Sequence, residues 1–504
     1  MRRSYVTAIA ESLYVNRGVG QTIVKNVLWL GLAQGFVGFV NFLLGVLAIR
    51  RFEEAKYGTF AVAFSFVGLF SAIFDFGLST AATREFARDK GRESAFIGLL
   101  IWKVLFGFVV VGVVYAGAFV LMDDAVTRRI IFVLAFYIFT QELLNLFLAL
   151  FRSRERMEFE AILRVANVVL LAAGVLSVLY MWPGILNLSY AYVAANAATL
   201  IVVGGLLVMR GDIPLVFGAV ADARMIQEFF LIGLYLALSR AVGDITMHTD
   251  SVMLGYWGQM TEATWYDAAS RVNKLVLFPM GLITTAVFPA LVKAMHESKE
   301  RLAKLLRLWG KVTVFLAVML CSVVFVNADG VVRKLYPNFG DSQPTSVTLQ
   351  ILVLMGFLVY MTTVMYHVLL AADEQKKIFY VLLVGAGLNV VLNCVLIPRF
   401  SLYGAAGASA ATHAAILVQY WVMAKRRNLL RLDRRWGVSA FAVPVVCGAV
   451  GCAVSVPLSH FGAAVQWAVL CGVVISCIAF VMFDRDLRGL VPTFRTLREA
   501  CRAR

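Results

Sequence analysis

The chain has 504 residues, 61% of them apolar and only 15% charged, with a mean hydropathy of +0.82. Folding in water always leaves a large polar skin, so this composition excludes a soluble globular domain and points to a membrane protein. A formal charge of +16 would suit a nucleic-acid binder, but no compact nucleic-acid-binding motif is present, and the location of the charge decides its meaning.

Residues 1–25 are mixed polar and carry Arg2, Arg3, Arg17 and Lys25. They lack an apolar run followed by a small-residue cleavage site, so they read as a cytoplasmic N-terminal segment, with the first span acting as insertion signal. About 20 apolar residues in a helix cross the roughly 30 Å hydrocarbon layer. The sequence predicts fourteen such spans, at 26–49, 59–81, 95–121, 130–151, 161–182, 189–209, 229–252, 264–292, 309–328, 347–371, 377–397, 403–424, 436–458 and 462–483. The seventh and eighth carry several charges.

With the N-terminus inside, the cytoplasmic segments hold 34 of the 46 Lys and Arg, the outside loops hold 8, and Lys103, Arg240, Arg271 and Lys274 lie within spans. That asymmetry places both termini in the cytoplasm, and most of the net charge becomes a topology signal with an anionic-lipid contribution.

Tyr190–Thr199 resembles Tyr403–Thr412 at an offset of 213, and the loop at Glu54–Tyr57 resembles Glu262–Tyr266 at a similar offset. The expected architecture is therefore all-α and polytopic, with two six-helix lobes in parallel repeat. The N-lobe covers 26–209, the linker 210–228 and the C-lobe 229–424. A basic loop at 425–435, a further helix pair within 436–483 and a basic cytoplasmic tail at 484–504 follow. Parallel repeats place the substrate path between lobes that rock in alternating access.

No Walker A lysine loop, HExxH or GxSxG turn is present, so the chain reads as a transporter without enzymatic chemistry, cofactor or metal. The seven cysteines show no metal spacing; six lie in apolar runs, as small buried hydrophobes, and Cys501 lies in the tail.

Ionisable residues inside spans are costly and therefore candidates for function. Arg240, Asp244 and His248 share one face of the seventh span; Asp267, Arg271 and Lys274 share one face of the eighth. Asp250 falls level with Arg271 across that hairpin. One reading is a cationic lining for a diphosphate, held by Arg271, Lys274 and Arg240, with Arg84 meeting the head group at the inner mouth. The other is a set of structural ion pairs, with Arg84 a positive-inside anchor. Asp75 and Lys103, at similar depth, read either as a mutual salt bridge or as a proton- or cation-linked pair. Asp244, Asp250 and His248 are further coupling candidates. Pro279, with Pro289, offers a kink for gating. Glu142 reads as part of a satisfied polar cluster with Gln141 and Asn145, and His367 as a hydrogen-bonded core histidine. The basic stretch 293–311, with Leu302, Leu305, Leu306 and Trp309 on one face, resembles an interfacial helix on anionic lipid.

The loop Glu53-Glu54-Ala55-Lys56-Tyr57-Gly58 leads to a helix containing Asp75-Phe76-Gly77-Leu78-Ser79-Thr80. The second lobe carries Asp250-Ser-Val-Met-Leu-Gly-Tyr256, then Glu262 to Ala269, and later Ile397-Pro398 running to Gly404-Ala-Ala406. These stretches resemble the polysaccharide transporter (Wzx-type flippase) family of the multidrug/oligosaccharidyl-lipid/polysaccharide export superfamily, over about 25 to 424. The Arg/Asn-rich opening of lipid II flippases is not found in the first spans. The resemblance implies a bacterial inner-membrane flippase. It would move an undecaprenyl-diphosphate-linked oligosaccharide to the periplasmic leaflet for O-antigen or exopolysaccharide synthesis. Its expected partners are membrane lipids, a coupling H+ or Na+ and polysaccharide-assembly proteins. A drug antiporter of the MATE branch and a membrane glycosyltransferase or polymerase are the alternatives. The four intramembrane cations argue against the first, and the short outside loops against the second.

Overall fold

The computed structural model describes residues 19–209, 223–427 and 429. Among them there is no strand. The helices in chain order are α1 (Val19–Arg51), α2 (Glu54–Gly68), α3 (Ser71–Asp75), α4 (Leu78–Arg88), α5 (Phe96–Leu121), α6 (Ala125–Ser153), α7 (Met157–Met181) and α8 (Ile185–Met209). After them come α9 (Ala223–Tyr256), α10 (Met260–Glu297), α11 (Lys299–Val326), α12 (Ala328–Leu335), α13 (Gln343–Ala371) and α14 (Gln375–Arg426). A 3₁₀ segment, Lys90–Ala95, feeds into α5.

Nine of the described helices are long and apolar enough to cross a membrane, and the bent pair Glu54–Gly68 with Ser71–Arg88 makes a tenth. The chain is thus a multi-pass membrane protein. Phe108, Val120 and Ile201 stand 55%, 83% and 75% exposed, because lipid rather than water solvates that surface. The 34-residue α9 is long enough to span but carries Arg240, Asp244, His248 and Asp250.

Each of the twelve spans expected up to residue 424 falls on a helix, with one departure. The second is broken into α2, α3 and α4. The eleventh and twelfth are the two halves of α14, separated by a kink where Ser401 adopts the non-helical φ 52, ψ −132. Ser401 Oγ donates to Gln259 Oε1 at 2.7 Å. The expected spans 436–458 and 462–483, the tail, and most of the N-terminal segment, the inter-lobe linker and the basic loop lie outside the described residues.

The chain forms two compact units. Among the described residues, the first takes those up to Ala268 plus Ala386–Ala405, and the second takes Ala269–Gly385 and those from Ala406 onward. In the first, α1 lies on α7, α6 contacts α2, α4, α5 and α8, and α9 packs on α2, α3 and α4. The sequence repeat opens its second lobe with this helix. Its core includes Leu78, Phe86, Phe96, Leu99, Phe147 and Phe229. In the second, α11 and α12 pack on α13, and Met280, Leu302, Leu306, Trp309, Tyr360 and Val368 share a core.

That second core corrects the reading of 293–311. Ser298 accepts from Arg301 N at 3.1 Å and caps α11, which then runs unbroken to Val326. Leu302 and Trp309 are buried among side chains, not laid on a lipid surface. His367 is the core histidine expected, with Nδ1 donating to Thr363 O at 2.8 Å beside Phe288, Trp309 and Tyr366. Cys321 is buried as expected, but Cys394 is exposed on α14; lipid accommodates a thiol as readily as a core does. The other five cysteines lie outside the described residues.

Candidate functional site

The site grows from the broken second span. Phe76 (φ 49) and Gly77 (φ 68) both take the left-handed conformation between α3 and α4, easy for glycine and costly for phenylalanine. The backbone of α9 presses on this point. A Cβ on Gly77 would lie 2.2 Å from Gly233 O, and one on Gly233 would lie 2.5 Å from Phe76 O. Neither position has room for a side chain.

A helix broken inside a membrane frees backbone donors that protein groups must satisfy. Two carboxylates do so here. Asp244 Oδ2, from α9, accepts Ser71 Oγ at 2.7 Å and Ala72 N at 3.1 Å at the start of α3. Asp75 Oδ1 accepts Ser79 Oγ at 2.5 Å and Ser79 N at 3.3 Å at the start of α4.

Two cations complete the cluster. Lys103 of α5 donates to Asp75 Oδ1 at 2.6 Å and to Ser79 Oγ at 2.8 Å. Arg240 of α9 donates to Glu142 Oε1 of α6 at 2.8 Å and to Ser71 Oγ at 3.3 Å. It also stands 3.6 Å from Asp75 Oδ2 and 3.9 Å from Asp244 Oδ2. Asn145 Nδ2 donates to Glu142 Oε2 at 3.0 Å. Three carboxylates therefore surround two cations in one hydrogen-bonded cluster. The Lys103 side chain is 1% exposed, whereas that of Arg240 is 41% exposed. Each nitrogen of the Arg240 fork faces a carboxylate, while part of the side chain stays exposed; a forked cation of this kind suits a phosphate.

Of the candidates read from sequence, Asp75, Lys103, Arg240 and Asp244 meet here. Glu142, Ser71 and Ser79 join them. Charge complementarity was the missed signal: a carboxylate inside a span needs a cation, and Arg240 was one of four on offer. Asp250 sits elsewhere in the first unit, where Tyr266 OH, Asn393 Nδ2 at 2.7 Å and Asn389 Nδ2 at 3.5 Å donate to it. His248 is pressed against α2, with Nε2 2.6 Å from where a Cβ on Gly68 would be. Arg84 is exposed and outside the cluster. Arg271, partly buried, and Lys274, exposed, belong to the second unit and make contacts of their own. α10 continues as helix through Pro279 and Pro289. Among the described residues no group of His, Cys, Asp and Glu is arranged to hold a metal ion.

The sequence pattern of the polysaccharide biosynthesis protein family matches residues 23–295, and that of the lipid II flippase MurJ matches residues 259–477. An uncharacterized membrane protein of Methanocaldococcus jannaschii is 21% identical over 449 residues, covering 82% of this chain and 86% of its own. Among solved structures, lipid II flippase MurJ in an inward closed conformation superposes with a TM-score of 0.74 at 14% identity, covering 92% of this chain and 99% of that one. A multidrug resistance MATE transporter in an inward-facing conformation superposes with a TM-score of 0.65 at 16% identity, covering 78% and 95%. At these identities the structural likeness shows a common fold.

Proposed function

Because the chain belongs to the polysaccharide biosynthesis protein family, we propose that it is a lipid-linked oligosaccharide flippase of the bacterial inner membrane. It carries a polyprenyl-diphosphate-linked oligosaccharide from the cytoplasmic to the periplasmic leaflet, by alternating access of two six-helix lobes with both termini cytoplasmic. Like the families it matches, it performs transport and no bond-making chemistry. The observation that carries this reading is Arg240, whose guanidinium joins a cluster of buried carboxylates while its side chain as a whole stays 41% exposed. A diphosphate crossing a membrane needs a fixed counter-charge, and arginine offers it as paired donors. Arg271 and Lys274, in the second unit, extend the same role in this proposal.

The surplus carboxylate of the cluster favours a second reading, a cation-coupled antiporter on the same fold. One assay separates the two. Purified protein is placed in liposomes with a polyprenyl-diphosphate oligosaccharide in one leaflet, and its exposure to a sugar-modifying reagent on the other side is followed. Movement by wild type, reduced about tenfold or more in Arg240→Ala through loss of a charge-assisted phosphate contact, supports the flippase. Loss in Arg271→Ala and Lys274→Ala but not in Arg240→Ala moves the phosphate site to the second unit. Transport of an organic cation, with no sugar movement, replaces the flippase by the antiporter.

A further inference from the structure

Within the charged cluster, Glu142 occupies a place that an anionic ligand of Arg240 would claim. Its Oε1 takes the Arg240 hydrogen bond at 2.8 Å, and its Oε2 takes the Asn145 amide at 3.0 Å. The Glu142 side chain is 3% exposed. The other charged groups acting on it are Asp75 at the helix break and Lys103 of α5, with Tyr137 on its own helix. Lys103 is committed at 2.6 Å to Asp75, which leaves Arg240 as the cation hydrogen-bonded to Glu142. If a phosphate draws the guanidinium away, Glu142 keeps one neutral donor and faces a second carboxylate. A buried carboxylate in that position neutralises by taking up a proton.

We propose that the anion site at Arg240 is proton-linked: Glu142 is an internal surrogate for the ligand's phosphate, and displacing it by a phosphate oxyanion takes up one proton onto Glu142. The proposal rests on the reading of Arg240 as an anion site. Linkage works in both directions, so lowering the pH loosens Glu142 from Arg240 and tightens anion binding, by about tenfold per pH unit where one proton is fully linked. The arrangement adds a condition to transport: the site accepts the diphosphate and a proton together, and releasing one favours releasing the other. A lipid-linked diphosphate and the phosphate of an anionic phospholipid share this chemistry.

The test uses the full chain in nanodiscs of zwitterionic lipid, titrated calorimetrically with geranyl diphosphate in two buffers of different ionisation enthalpy. The expected result is uptake of about one proton per diphosphate, affinity rising as pH falls, and a protonated-carboxyl infrared band appearing on binding. Glu142→Gln binds more tightly, without uptake, and lacks the band. The wild-type measurements stand even if that variant fails to fold. Binding without proton uptake, or uptake and band that persist in Glu142→Gln, overturns the inference alone. No binding to either protein overturns both the inference and the anion reading of Arg240. Repeating the titration in phosphatidylglycerol nanodiscs identifies the source. Competition marks the site as one that phospholipid also fills, and unchanged affinity marks it as selective for the diphosphate; either agrees with a phosphate oxyanion as ligand.

Discussion

Lys103 and Arg240 are both cations in the same cluster, and both touch Asp75, yet they stand in different physical situations. The Lys103–Asp75 pair is sealed, with side chains 1% and 2% exposed and Ser79 Oγ closing the triangle. Arg240 spreads over Glu142, Asp75, Asp244 and Ser71, and 41% of its side chain remains exposed. Desolvation is already complete for the lysine, and no ligand can reach it without breaking the core. The arginine retains open surface and exchangeable partners. The comparison teaches that a charge inside a membrane protein is not by itself a binding site; residual exposure separates the brace from the receptor.

The comparison breaks most visibly at the sealed pair. Lys103→Met takes from buried Asp75 its hydrogen-bonded counter-ion and leaves only Arg240 at 3.6 Å; such half-removals cost about 3–5 kcal/mol. The expected outcome is a lower melting temperature in detergent and poor yield. Asp75→Asn combined with Lys103→Met restores most of that loss, because two neutral side chains no longer need each other. A double variant as unstable as Lys103→Met would show that the lysine supports the break through packing, not charge. Smaller by expectation is Gly77→Ala. It places a Cβ 2.2 Å from a backbone oxygen at φ +68, a strain of about 1–3 kcal/mol. Gly233→Ala behaves alike, since each glycine makes room for the other backbone.

Much of this site was legible in the sequence as ingredients. Asp75, Lys103, Arg240 and Asp244 stand out because charges in apolar runs are rare, and Arg240 and Asp244 share a face at i, i+4 as observed at 3.9 Å. Their assembly was not legible. Periodicity says which residues share a helix face, and nothing about which helices are neighbours. The stripe of Arg240 therefore pointed equally toward the α10 residues Arg271 and Lys274 and toward Glu142, 98 positions earlier in the chain. The break at Phe76–Gly77 was hidden for a similar reason. One glycine in an apolar run signals little until Gly233 arrives to require it. The helices themselves were plain, since length and hydropathy are local quantities. The break between the eleventh and twelfth spans was plain too, because Pro398 and Arg399 read as a turn and the chain kinks at Ser401.

Arg240→Gln sharpens the comparison from the exposed side. Open surface already screens part of this charge, and Glu142 can take a proton in place of the guanidinium, so stability falls by only about 1–2 kcal/mol. Transport falls far more than stability. A melting-temperature loss as large as that of Lys103→Met would erase the distinction between the two cations.

The smallest effect belongs to an ion pair that water reaches, at the turn between α13 and α14. Glu374 pairs with Lys377 at 2.9 Å and with Arg427, whose side chains are 53% and 57% exposed. The hydrogen bond from Lys377, followed by the charge of Arg427, holds the Glu374 carboxyl below its ordinary value. A carboxylate depressed in the folded state stabilises fully above its unfolded pKa of about 4.3 and loses that contribution as pH falls through the lower folded value. Solvent screening keeps the amount to a few tenths of a kcal/mol, on the order expected for surface pairs. Glu374→Gln should therefore melt slightly below wild type at neutral pH, with the gap closing as the medium is acidified below about pH 4. The same chemical groups that brace the core when sealed contribute little when wet, and a gap independent of pH would mean that packing, not charge, holds this turn.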